Sequence, residues 1–163
     1  MTGPRGPAGP AGPSGSKGGL KVVDGVGTEI GSVTGLVVNG SQQVLPVVVL
    51  QRNGVSVALL VFPDHFEGTG AALSYESLDC TGAPLLTGPF DSLVLPATVE
   101  GPSSTVYVPD TSLKPQSVVV QSMSQLSGCV AIPMPGPPTP VLALPAMPLV
   151  DLSALFSPPF RVP

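Results

Sequence analysis

The sequence predicts an all-β body, an antiparallel sandwich or barrel-like in form and trimeric, behind an N-terminal collagen-like triple helix. Three observations carry this. Glycine stands at every third position from Gly3 to Gly18, followed by Pro4, Pro7, Pro10 and Pro13 in four of the triplets. The rest of the chain is a series of short Val- and Leu-rich runs between Gly, Pro and Asn turns, with no capped segment of 3.6-residue period. Charged residues make up only 10% of the chain against 42% hydrophobic, where about a quarter charged is usual. A body so poor in charge exposes apolar surface unless another subunit covers it.

The first 19 residues form the collagen-like arm. Gly3, Gly6, Gly9, Gly12, Gly15 and Gly18 are its assembly residues, because only a residue without Cβ fits where three polyproline-II chains meet. Proline pre-sets the backbone angle the helix needs. Arg5, Ala8, Ala11, Ser14 and Lys17 fill the third triplet position, where animal collagen often carries hydroxyproline, which fits a bacterial or viral source. At about 3.1 Å per residue its five triplets span roughly 46 Å. So short a triple helix does not repay the entropy of association alone. The body, 20–163, must clamp it.

In chain order, 21–24 begins a strand, and 28–39 (TEIGSVTGLVVN) is a strand with bends or bulges. The runs 44–51 (VLPVVVLQ) and 55–62 (VSVALLVF) flank Asn53-Gly54, a hairpin signal. Both runs are nearly continuous in Val and Leu, so the hairpin is expected to be covered on both faces. A loop at 63–70, a strand at 71–77 and a turn at Asp79-Cys80-Thr81-Gly82 follow. Paired strands are expected at 93–100 and 104–108, and again at 117–125 and 129–134. The nearest approach to a helix is 149–156. The Pro-rich, apolar segment 132–163 is not an interior strand throughout, since proline cannot donate to a ladder, and reads as an extended C-terminal arm packed across its own or another subunit.

These features resemble the β-rich C-terminal modules that follow collagen-like repeats in bacterial surface proteins and phage-encoded proteins. The resemblance is carried by the arm, the Asn53-Gly54 hairpin, the Asp79-Cys80-Thr81-Gly82 turn, Cys129, and the ending Ser157-Pro158-Pro159-Phe160-Arg161. It implies an extracellular or virion trimer whose body nucleates and clamps the triple helix, and no enzyme. Five triplets are fewer than that family usually carries, which argues against a long stalk.

Catalytic and cofactor chemistry find little support. His65 is the one histidine, within Pro63-Asp64-His65-Phe66-Glu67, and reads as part of a solvated loop rather than a metal site. Ser residues lack a GxSxG setting, Gly25-Val26-Gly27 precedes no helix, and Asp24, Asp79 and Asp110 lack the spacing of a calcium loop. No metal, cofactor or catalytic residue is expected. Tyr75 and Tyr107 offer faces on which sugar rings stack, or are core and rim residues. Cys80 and Cys129 lack CxxC spacing; they form either a disulfide or two buried thiols. A net charge of −4 without a basic run disfavours nucleic acid, and no apolar run is long enough for a spanning helix, so no membrane insertion is expected. No secretory signal follows Met1, so export is expected by a signal outside this stretch or by lysis.

The functional expectation is a structural protein, the trimeric subunit of an extracellular fibre or appendage. Its partner is itself, as a homotrimer, with the arm of one trimer docking into the body of the next. The alternative is the receptor- or glycan-binding tip of a phage tail fibre or bacterial adhesin, with a cell-surface glycan as partner.

Overall fold

A computed structural model describes residues 19–163, apart from 71, 89, 92–93, 102–103, 126–127 and 133–138. The Gly-X-Y repeat with its six glycines, Gly3 to Gly18, lies outside the described residues. The described body is all-β, with no helix, and its sheet curls into a half-barrel. Where a helix seemed nearest, Leu149 and Val150 end a strand, and a single turn follows in which Leu152 accepts the Phe156 N–H at 2.9 Å.

The first sheet pairs its strands antiparallel in chain order: β1 (Lys21–Val23), β2 (Glu29–Val38), β3 (Val44–Arg52), β4 (Val55–Val61) and β5 (Phe66–Gly68). Asn53 (φ 51°) and Gly54 (φ 78°) are both left-handed, as the tight β3–β4 turn requires. The bends expected in β2 are shifts of register, one at Val22/Val23 in its pairing with β1 and one at Val33/Gly35 in its pairing with β3. β5 falls inside the stretch expected to be a loop, because Phe66 turns inward opposite Val61 and joins the core. Along β4, Val57, Leu59 and Val61 are buried while Ser56, Ala58 and Leu60 are only partly covered. This one chain therefore covers one face of the hairpin, not both.

The second sheet comprises β6 (Ser74–Tyr75), β7 (Leu85–Thr87), β8 (Thr98–Glu100), β9 (Thr105–Pro109), β10 (Gln116–Val118), β11 (Ser122–Gln125), β12 (Gly128–Ala131) and β13 (Val141–Asp151). Its order is β12-β11-β6-β7-β13-β9-β8, with β10 also on β13. The single run expected over 117–125 is two strands, and β7 arises where no strand was expected.

The C-terminal segment carries an interior strand in its middle that the density of proline did not announce. β13, with its 11 residues, is the longest strand and lies inside the sheet. It tolerates proline by changing partners. Ala143 to Pro145 pair with β7, and Ala146 onward pairs with β9. At the switch Pro145 accepts from the Asp110 N–H at 2.8 Å and needs no donor there. Pro148 sits at a shift of register before Val150, the setting in which a strand accommodates proline.

The two sheets share one core. Val48, Leu50, Val57, Leu59 and Phe66 of the first sheet pack with Ala97, Val106, Val108 and Leu152, and Phe156 and Phe160 close it. A smaller cluster gathers Leu85, Val118, Val120 and Ala143. The seam is a close crossing of β5 and β8. Gly70 donates to the Ala97 carbonyl at 2.7 Å, and a Cβ on Gly68 would overlap that carbonyl and the Thr98 Cα. Gly68→Ala is therefore expected to lower the unfolding free energy by about 3 kcal/mol. Gly40→Ala, with open space around it, should change it by less than about 0.5 kcal/mol. Urea titration of both variants is the check.

Candidate functional site

The polar groups singled out from sequence lie in separate places. His65 stacks on Phe62 with ring centroids 4.3 Å apart. Its Nδ1 lies 2.7 Å from Asp64 Oδ1 and its Nε2 3.5 Å from Glu67 Oε1. The hydrogen bond from His65 holds the Asp64 carboxyl below its ordinary pKa. No cluster of three metal-ligating side chains forms among the described residues. Asp79 accepts from Thr81 Oγ1 at 2.7 Å, and Asp110 from the Ser112 N–H at 3.0 Å. Each of these acids organises its own turn.

Asp24 does more. It is 1% exposed. Its Oδ1 accepts the N–H groups of Thr28 (2.7 Å) and Val26 (3.1 Å), and its Oδ2 accepts the N–H of Ser157 (3.2 Å). Gly25 donates to the Ser157 carbonyl at 2.7 Å, and Val23 and Arg161 exchange two backbone bonds. The ending 157–161 is thereby stitched to the strand on which the body begins. Burial raises the Asp24 pKa, but the bonds from Thr28, Ser157 and Val26 outweigh it and leave the carboxyl below its ordinary value.

Cys80 and Cys129 are disulfide-bonded, with Cα atoms 5.8 Å apart. Cys80 has φ 57° in the turn after β6, and Cys129 lies on edge strand β12. Fully buried Ser122 braces the same turn: its Oγ donates to the Ser77 carbonyl (2.7 Å) and accepts the Cys80 N–H (3.0 Å).

Surface concavities also open among the described residues, two of them similar in size. One, of about 420 Å³, opens at the sheet seam between Glu67, Thr98, Glu100, Ser124 and Gln125. Ser124 Oγ donates to Glu100 at 2.7 Å, so this hydroxyl meets an acid while His65 faces Asp64 and Glu67. Nearby, burial, then Glu100, then Tyr107 push the Tyr75 phenol pKa upward; Tyr75 is thus partly packed rather than a free platform. The second, also about 420 Å³, is mostly apolar, lined by Phe90, Leu113, Pro115, Leu142 and Leu144, with Asp91 and Thr111 also on its wall. Large apolar side chains are also exposed at Leu20, Leu36, Val37, Val38 and Val44. Sequence reasoning foresaw uncovered apolar surface from the shortage of charge but not its position, which depends on where each strand outruns its neighbour.

The chain matches no protein-family model, no curated protein and no solved structure.

Two outcomes follow from the clasp and the disulfide. A carboxylate with a lower pKa folded than unfolded stabilises the fold above its unfolded pKa, and the contribution is lost as pH falls through the folded value. Urea unfolding at stepped pH should therefore show stability falling below about pH 4. Asp24→Asn should be less stable at pH 7 and show a smaller acid loss. Reducing Cys80–Cys129, which closes a separation of 49 residues, should lower the unfolding free energy by about 4 kcal/mol, read from urea titrations with and without reductant.

Proposed function

We propose that this chain is a structural protein: the subunit of a homotrimer that builds an extracellular fibre or appendage on a cell surface or virion. The β body clamps the collagen-like arm, and the arm of one trimer docks into the body of the next. The reading assigns no catalytic role, no cofactor and no nucleic-acid or membrane partner. The observation that carries it is a strict glycine repeat, Gly3 to Gly18, joined to a body that leaves large apolar side chains open to water. The repeat calls for three chains. The open apolar side chains call for cover. The apolar groove beside Phe90, Leu113 and Pro115 suits a polyproline-II segment, which presents a preformed ridge at low entropic cost.

A second reading, a glycan-binding tip of a phage tail fibre or adhesin, is favoured by one observation. The seam groove presents Glu67, Thr98, Glu100, Ser124 and Gln125, hydrogen-bonding groups of the kind that hold hydroxyl-rich ligands.

Sedimentation velocity and electron microscopy test the first reading. The full chain should sediment as trimers and higher polymers, and deletion of 3–18 should abolish filaments. Unchanged filaments would remove the arm from assembly. A sharp, saturable hit on a glycan array would favour the second reading instead.

A further inference from the structure

We propose that the end of the first sheet from which the N-terminal arm departs is where three copies of this chain meet, the tip of each β2–β3 hairpin packing against its two neighbours around the arm's axis. This rests on the reading of Gly3 to Gly18 as a triple helix.

The hairpin tip is apolar and open chiefly on one face, that of Leu36, Val38 and Val44, since Leu45, which pairs with Val37 on the other, is only 4% exposed. Leu36, Val37, Val38 and Val44 are 61%, 42%, 64% and 60% exposed, and Leu20 beside them is 57% exposed. Leu36 pairs with Pro46, Val37 with Leu45 and Val38 with Val44. Alternation therefore sends Leu36 and Val38 to one face of the ribbon and Val37 to the other. On the Leu36 and Val38 face the ribbon has run past the shared core, whose members on these strands are Ile30, Val48 and Leu50, with Val33 packed against it. Its turn is well ordered: Asn39 Oδ1 accepts from the Ser41 N–H and Oγ and from the Gln43 N–H, all within 3.0 Å.

One edge of the tip is also free. β1 reaches along β2 only to Lys21 opposite Ser32, after which the Leu20 carbonyl takes the Val33 N–H at 2.7 Å. From Thr34 to Val38 no strand lies on that side of β2 among the described residues. No charged residue occurs from Ile30 to Gln51, so this edge lacks the lysines that usually keep an open edge from pairing.

Connectivity selects the occupant. β1 and β2 are antiparallel, so the chain traced back from Lys21 through Leu20 and Gly19 heads the way β2 runs towards Val38. Arm and tip thus leave the sheet at the same end. Gly18, the last axial glycine, precedes Lys21 by three residues, which limits their separation to about 10 Å. Winding three arms draws three copies of Leu20 and the adjoining β2 edge together. The exposed tip alone is small beside the roughly 800 Å² per partner of a standard interface. Tethering makes it sufficient, because joined chains meet at an effective concentration of order mM. In return the patch holds together an arm too short to stay wound alone.

The test compares the full chain, Leu36→Glu with Val38→Glu, Leu36→Ser with Val38→Thr, and the chain lacking 3–18. Each is followed by sedimentation and by the circular dichroism of the triple helix. The full chain should sediment as trimers and their polymers, with a meltable triple-helix signal. Both double variants should keep the β spectrum, and the concentration for half dissociation should rise by about tenfold or more. If the double variants trimerise as tightly as the parent, the hairpin contact is overturned while the triple helix stands. If the arm-deleted chain still self-associates and the glutamates abolish this, the contact holds without the arm. A full chain that is monomeric throughout overturns both. So does a monomer that floats with phosphatidylcholine–phosphatidylglycerol vesicles and loses this with the glutamates, since a bilayer would then be the tip's occupant.

Discussion

The crossing of β5 and β8 is the contact from which the rest of the body follows. The Ala97 carbonyl presses on the backbone of Gly68 and takes the Gly70 N–H. Two chain segments can come this near only where one carries no Cβ. The approach lets a sheet of five strands and a sheet of eight lie over a single core. Leu59 on one side and Val106 and Leu152 on the other are fully buried by it. A side chain at Gly68 would hold the sheets apart and open space beneath all of them.

Charge does little of the holding. Lys21 and Glu29 pair at 2.6 Å, but both are about half exposed, where an ion pair contributes roughly 0–1 kcal/mol. The polar work is done inside, by groups that saturate backbone donors and acceptors. Asp24 ties the first strand to the chain's last turn across 133 residues, and Ser122 ties the Cys80 turn to β11. No buried side-chain nitrogen or oxygen lacks a hydrogen-bond partner among the described residues. A protein held this way needs few surface charges to fold, and for that reason leaves apolar surface that water tolerates poorly.

That surface is not spread evenly. It concentrates where β2 and β3 outrun the core and beside β13 around Leu142 and Leu113. The first lies at the end of the sheet from which the glycine repeat departs, and the second is a groove. In the proposed assembly the first, together with the repeat, gathers three copies and the second receives the next assembly.

Local chemistry was legible in the sequence wherever a residue's own backbone preference decided the outcome. Asn53-Gly54 specified its turn because both positions must be left-handed, and β1 to β4 follow from β-branched runs bounded by turn residues. Glycine every third residue is the pattern a three-chain helix requires by steric exclusion, and it carries the proposal of a trimer, since that stretch lies outside the described residues. Tertiary structure decided what depends on partners distant in the chain. Pro145 and Pro148 sit in an interior strand because β13 trades β7 for β9 between them, a switch that local propensity does not register. β5 and β7 are too short to announce themselves and exist because Phe66 and Leu85 face buried clusters. In the sequence Asp24 stands only as a calcium-ligand candidate without the right spacing, and the return of Ser157 makes it a buried clasp.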